Sequence, residues 1–213
     1  MMKKETPRGI VYQHIKKQIL TKALFPGNRI VEEDVVRETG VSRTSIRPAL
    51  LQLQYEGLVE IVPNRGAFVA KPTKEDLLQV YRMRRVLECG ALEEAMEKRT
   101  DAQLQAMERN LEAQSVLTQH YSRQEYVTLN HQFHWLMVQM TGNAYYEKYL
   151  NEIYNRINTF LFFYDNAVDN NSLTSHLMIY EALRDRDLAK GLAGIRLDVD
   201  IALDDLQATE LTN

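Results

Sequence analysis

The chain has 213 residues, 45% apolar and 26% charged, the composition of an ordinary globular protein and the length of two modest domains. No run approaches the roughly 18 apolar residues of a membrane span. The opening Met-Met-Lys-Lys-Glu-Thr-Pro-Arg lacks a signal peptide's apolar core, and the lone Cys89 excludes an intrachain disulfide and a thiolate metal cluster, which together predict a cytoplasmic protein without membrane attachment.

The net charge of −3 hides an asymmetry. Residues 1–72 carry 12 Lys/Arg against 7 Asp/Glu, whereas residues 73–213 carry 14 against 22. A basic first third suits phosphate contact, because each neutralised phosphate releases counterions, and an acidic remainder does not. Two domains with different partners are expected, with the boundary at Lys71-Pro72-Thr73.

In chain order, Ile10, Val11, His14, Ile15, Ile19 and Leu20 recur at helical spacing, and Phe25-Pro26-Gly27 stops that helix. Arg29-Ile30-Val31 reads as a short extended link. Glu32 to Thr39 forms a second helix closed by Gly40. Ser42 is placed to cap a third with its hydroxyl. Ile46, Ala49, Leu50, Leu53 and Tyr55 give this third helix its apolar stripe, and Gly57 ends it. Leu58 to Val62 and Ala67 to Ala70 then alternate as two strands around Pro63-Asn64-Arg65-Gly66. Three helices followed by a hairpin outline a winged helix-turn-helix, which sets one helix in a DNA major groove with the hairpin beside it.

From Thr73 onward the pattern is helical throughout. Six helices are expected, over about 74–98, 101–120, 122–141, 144–165, 171–185 and 187–206, with Ser122 and Glu125 as a capping box. They should pack as an antiparallel bundle. The fold class is thus mainly α, with a winged head at residues 1–72 and a bundle at 73–213.

On the third helix Arg43, Thr44 and Arg47 lie on the first turns, away from the apolar stripe. There an arginine can bond guanine O6 and N7 together. Arg65, beside Gly66 at the hairpin tip, suits a phosphate or minor-groove contact.

Pro26-Gly-Asn-Arg-Ile30, Val41-Ser-Arg-Thr-Ser-Ile-Arg-Pro-Ala-Leu50, Glu56-Gly-Leu58 and Asn64-Arg-Gly-Ala-Phe-Val69 resemble the N-terminal domain of the GntR family of bacterial transcription regulators. Two positions depart from that pattern. Ser45 replaces a usual proline, and Pro48 replaces a common glutamate. Pro48 predicts a local kink that shifts where Arg47 points.

Arg84-Arg-Val-Leu-Glu88, Asn130-His-Gln-Phe-His134 and the later His176 resemble the FCD ligand-binding domain of the FadR-type subgroup, in its six-helix VanR-like form. The resemblance implies a divalent metal, with zinc, nickel and manganese undistinguished, holding a carboxylate effector. Position by position, its ligands fall on Asn130, His134, His176 and Asp198, an amide and an aspartate standing where the family has a carboxylate and a histidine. Arg84 and Asn155 are the candidate effector contacts.

Taken singly, each of these residues has an ordinary structural role. His134 sits among Phe133, Leu136, Met137 and Met140 as a core histidine would. His131, on another face, reads as a surface group. Tyr154, Phe160, Phe163 and Tyr164 form a stripe typical of core, and Arg84 can pair with Glu88 one turn on. The sequence therefore predicts a transcription regulator, a repressor by resemblance, that binds a double-stranded operator as a homodimer and answers to a small molecule. Two rivals remain: a metal-dependent enzyme with a DNA-recruiting head, and a regulator whose bundle has lost its metal and only dimerises.

Overall fold

Thr6 starts the first helix: its hydroxyl accepts from the Gly9 amide, and Pro7 fills a first-turn position where a missing N–H costs nothing. In the computed structural model, which describes residues 6–117, 122–164 and 172–208 apart from the side chains of Leu20, Arg123 and 162–164, this helix is α1 (Pro7–Leu20). A strand β1 (Arg29–Ile30) and a helix α2 (Glu32–Thr39) follow, with Gly40 at φ 69° ending α2 in the left-handed conformation that glycine adopts freely. A 3-10 turn (Arg43–Ser45) leads into α3 (Ile46–Tyr55), then β2 (Val59–Val62) and β3 (Gly66–Val69). The chain forms two compact units, Met1–Pro72 and Thr73–Asn213.

Arg29-Ile30 is more than a link. It pairs antiparallel with β3, so the sheet has three strands in the order β1-β3-β2, with Arg29 opposite Phe68 and Val62 opposite Gly66. Val11, Ile15 and Ile19 of α1 are buried, as are Val35, Ile46, Ala49, Leu50, Leu53, Val59, Ala67 and Val69. Tyr55 departs from the predicted stripe: it lies in the last turn of α3 and is 49% exposed. Beside the core, Glu56 accepts from the Tyr12 hydroxyl (2.8 Å) and the Lys16 ammonium (2.9 Å), tying α1 to the end of α3.

Two details at the start of α3 also differ from expectation. Ser42 does not cap it; its hydroxyl shares a hydrogen bond with Thr44 instead (2.8 Å). Nor does Pro48 kink α3. The α-helix starts at Ile46, so Pro48 sits in the first turn, where its absent N–H has no helical partner to lose. The irregularity lies ahead of it, in the 3-10 turn, because an α-helix begun at Ser42 would have driven the proline ring against the Thr44 carbonyl.

Among the described residues the second unit has six helices: α4 (Lys74–Lys98), α5 (Asp101–Leu117), α6 (Arg123–Met140), α7 (Ala144–Tyr164), α8 (Leu173–Asp185) and α9 (Leu188–Ala208). Reciprocal caps fix two starts. Thr73 and Asp76 exchange bonds at α4, and Thr100 and Gln103 do so at α5. Ser122 accepts from the Glu125 amide at α6.

Apolar packing falls into distinct clusters. Leu92, Met107, Phe133, Met137, Ile179, Leu183 and Ile195 form one. Leu77, Tyr81, Ile157, Phe160, Val199 and Leu206 form another. On α4 the residues between Tyr81 and Leu92 include Arg84 and Glu88, and on α9 Asp198 separates Ile195 from Val199. A polar layer thus crosses the bundle between two apolar ones. Gly194 lets α8 and α9 approach closely there, since a Cβ would lie 2.9 Å from Ile179 Cγ1 and 3.1 Å from the Ser175 carbonyl oxygen.

Candidate functional site

Arg43, Thr44, Arg47, Arg65 and Gly66 are all exposed. The Arg43 guanidinium donates to Glu33 of α2 (2.8 Å), which orients it at the mouth of the helix-turn-helix. Arg47 follows in the first turn of α3, exposed at the side of the stripe of buried Ile46, Ala49 and Leu50. At the hairpin tip Asn64 takes φ 59° and Gly66 φ 103°. The Arg65 guanidinium lies 5.7 Å from the centre of the Phe68 ring, a cation–π contact that holds it by the strand. A Cβ at Gly66 would meet the Arg29 guanidinium at 3.5 Å, so Arg29 flanks the same tip. The sequence pattern assigned Arg29 no role, because its neighbour across the sheet, Phe68, is 39 positions on.

In the bundle, His134, His176 and Asp198 converge from α6, α8 and α9, each at most 3% exposed. His134 Nε2 lies 3.1 Å from His176 Nε2 and 3.4 Å from Asp198 Oδ2, and His176 Nε2 lies 3.2 Å from Asp198 Oδ1. Metal bonds of about 2.0–2.2 Å to nitrogen and oxygen place neighbouring ligand atoms roughly 3–3.5 Å apart, so the triangle has a metal's dimensions.

Hydrogen bonds decide which ring atoms face inward. His176 Nδ1 is 2.8 Å from Gln114 Oε1 and donates to it, leaving Nε2 a lone pair. His134 Nε2 accepts from Arg84 Nη2 (2.6 Å), so it too is a lone pair. Two acceptors therefore meet at 3.1 Å beside a carboxylate, an arrangement that calls for positive charge between them. A proton there is disfavoured: burial, only partly opposed by Asp198, pulls the His176 pKa down to about 4.

Buried Arg84 is the positive group in contact with the triangle. It donates to Glu88 Oε1 (2.8 Å) and Asp198 Oδ2 (2.7 Å) as well as to His134. Burial alone would ease its proton off, but the charges of Glu88 and Asp198 outweigh that and raise its pKa. Burial likewise disfavours an ionised Asp198, and Arg84 with the two imidazoles outweighs this, holding its pKa well below the carboxylate range. The single Ser175 hydroxyl proton lies between two acceptors, Asp198 Oδ1 and the Ser172 carbonyl oxygen, each 2.7 Å from Oγ, and Tyr154 donates to Glu88 Oε1 (2.8 Å). His134 Nδ1 lies 3.3 Å from Glu88 Oε1, too poorly aligned to count as a hydrogen bond, and Glu88 Oε2 also lacks one.

One turn before His134, Asn130 turns its amide nitrogen toward the hydroxyls of Tyr126 (3.4 Å) and Ser172 (3.3 Å). Asn155 is half-buried one residue after Tyr154, and no contact between its amide and the cluster is found among the described residues. His131 is not a surface group: its ring packs edge-on against Tyr154 (5.3 Å) and Trp135 (6.3 Å), and burial lowers its pKa to about 4. The side chains of Phe163 and Tyr164 lie outside the described residues. Ser175 and Gln114 escaped the sequence reading. For Gln114 a signal existed: with Asn110 it interrupts the buried stripe Leu104, Met107, Leu111 and Leu117 on α5.

A winged helix-turn-helix with arginines on its recognition turns, joined to a helical domain with a buried His/His/Asp cluster, defines the architecture of a DNA-binding regulator. The comparisons agree: residues 7–69 match the bacterial regulatory proteins of the gntR family, and residues 79–197 match the FCD domain. The chain belongs to the GntR family of transcription regulators, in the FadR subfamily with an FCD C-terminal domain. It is 30% identical over 161 residues to the Nta operon transcriptional regulator of Aminobacter aminovorans, covering 76% of each chain. It is 29% identical over 143 residues to the regulator YdhC of Bacillus subtilis, and 27% identical over 130 residues to the repressor RspR of Escherichia coli. The matches span 67% and 61% of this chain but only 64% and 57% of YdhC and RspR. Its fold is that of E. coli McbR/YncC, with a TM-score of 0.78 and 19% identity over 95% of this chain and 98% of that one. These relatives are regulators by name, not enzymes. No helix among the described residues is long and apolar enough to cross a membrane.

Proposed function

We propose that the protein is a homodimeric repressor whose bundle holds a divalent metal on His134, His176 and Asp198 and receives a small carboxylate effector there, with operator affinity set by that occupancy. The observation that supports this best is the meeting of two buried imidazole Nε2 atoms at 3.1 Å with the two Asp198 oxygens 3.4 and 3.2 Å from them, the His134 lone pair being held by Arg84 until a metal takes its place. A bound metal would supply the missing positive charge and an open position for a carboxylate oxygen. The surrounding residues hold the site in place: Ser175 Oγ lies against one Asp198 oxygen, while Glu88 and Tyr154 hold Arg84 against the other. With one cation and two carboxylates the cluster carries one net negative charge, so a divalent ion leaves it one positive charge, matching a monocarboxylate.

At the head, Arg43, Thr44 and Arg47 would read base edges, and Arg65 with Gly66 would follow the backbone or minor groove. A two-fold dimer doubles these few contacts over a palindromic operator. Met83 and Val86 on α4, with Tyr145 and Tyr149 on the neighbouring α7, are large exposed apolar residues suited to a second copy. Effector control then requires that the DNA-bound and free states bind effector with different affinity.

A second reading rests on Arg84, whose bonds to His134 and Asp198 let it act as the internal cation of a bundle that only dimerises. Metal analysis of the purified full-length protein separates the two. About one zinc, nickel or manganese per chain, lost in a His134→Ala/His176→Ala double variant, supports the first reading. A wild-type protein that takes up none of the three favours the second.

A further inference from the structure

The metal reading leaves unexplained why the interior of α5 should carry two amides. Asn110 is 5% exposed and Gln114 1%, on a helix that otherwise buries leucine and methionine. We propose that Gln114, oriented by Asn110, is a positioning residue that locks His176 in its Nδ1–H tautomer and so turns the Nε2 lone pair toward the metal position. The proposal rests on the preceding reading only for what that lone pair binds.

The direction of every bond follows from one backbone carbonyl. Leu129 O on α6 can only accept, and Asn110 Nδ2 donates to it at 3.2 Å, as it does to Gln132 Oε1 at 3.3 Å. That leaves Asn110 Oδ1 facing Gln114, which must present its Nε2 donor there (2.6 Å). Gln114 then has its carbonyl oxygen toward His176, and Nδ1 must be the protonated nitrogen (2.8 Å). Flipping either amide would set donor against donor or acceptor against acceptor, so the orientation is dictated by the network. A neutral imidazole has one N–H, and this chain claims it. Nε2 is left to His134 and Asp198. Without Gln114, the opposite tautomer would be favoured, because Nε2–H could donate to Asp198 Oδ1 at 3.2 Å. Partners of this kind set the orientation and basicity of metal-binding histidines.

The test uses the full-length protein with 15N-labelled histidine. The two ring nitrogens of His176 are read by long-range 1H–15N correlation at neutral pH under EDTA, and assigned by loss of the signal in His176→Asn. Zinc affinity is measured in parallel by chelator competition. The expected wild-type result is the Nδ1–H tautomer. Gln114→Met, similar in length but without an acceptor, should shift His176 to the Nε2–H form and weaken zinc binding about 10–100-fold. Far-ultraviolet circular dichroism and a cooperative thermal transition of Gln114→Met, expected to match wild type, guard against reading misfolding as a tautomer change. A wild-type His176 in the Nε2–H form, or a Gln114→Met protein with unchanged tautomer, overturns the proposal. If the wild type shows the Nδ1–H tautomer but binds no zinc, nickel or manganese, the metal reading fails while Gln114 keeps its role.

Discussion

Replacing Arg84 by methionine removes a cation in contact with two buried carboxylates and leaves side-chain volume nearly unchanged. Arg84 is 3% exposed and makes bonds of 2.8 Å to Glu88, 2.7 Å to Asp198 and 2.6 Å to His134. Without it the cluster passes from one net negative charge to two, with Glu88 and Asp198 still buried. Removing one partner of a buried ion pair costs about 3–5 kcal/mol, because the remaining charge has neither water nor counterion. A divalent metal should then matter more than before, since it would neutralise both carboxylates and would find the His134 lone pair free. Zinc at about 100 times its dissociation constant stabilises the folded state by about 2.7 kcal/mol, enough to restore over half of the loss. The assay is urea unfolding followed by the fluorescence of Trp135, the only tryptophan, which lies on α6 of the bundle. It is run with EDTA and with zinc. A variant within about 1 kcal/mol of wild type under EDTA would refute the charge argument, and zinc stabilising the wild type more than the variant would refute the coupling between Arg84 and the metal position.

Arg43→Ala and Arg47→Ala should each lose about 1–3 kcal/mol of operator affinity and relax base preference, whereas Arg65→Ala should weaken all sequences alike and lower the salt slope by about one; titrations against operator and random duplexes at several salt concentrations check this, and an unaffected Arg43/Arg47 pair would remove α3 as the reading element. Stability should fall on acidification. Since His176 titrates at about 4 in the folded state and at its ordinary, higher value when unfolded, the unfolded state binds more protons between those values. The associated stability is complete above the unfolded pKa of roughly 6.5 and is lost as pH drops toward 4, by about 2 kcal/mol between pH 7 and pH 5. Urea midpoints under EDTA that stay level over that range would contradict a neutral buried His176. Gly194→Ala places a methyl 2.9 Å from Ile179 Cγ1 and 3.1 Å from a backbone oxygen of α8; a loss of about 1–3 kcal/mol is expected from overpacking, together with weaker zinc binding as α9 shifts Asp198, and thermal melts with the same chelator titration measure both.

Much of this protein is local, and the local part was legible in the sequence. Apolar spacing together with Thr73, Gly40 and Gly57 fixes the helices and their ends, because helix periodicity and capping depend on residues within one or two turns of each other. The hairpin follows likewise from alternation around Pro63 to Gly66. Local chemistry also went astray where two local preferences competed. Ser42 suits an N-cap, but Pro48 forbids an α-helix begun there, and the chain resolves the conflict with a 3-10 turn. Partnerships between distant residues were decided only by the tertiary structure. Arg29 reaches the wing because β1 pairs with β3, and the Asn130 amide nitrogen meets the hydroxyl of Ser172 at the start of another helix. The sequence alone specifies a DNA-reading head and a six-helix bundle containing His134, His176 and Asp198. Burial adds what no spacing contains: Arg84 set against two carboxylates, and a chain of amides from Leu129 that fixes which nitrogen of His176 carries its proton. In a low-dielectric interior each polar group must find a complementary partner, and helix packing determines which partners are within reach.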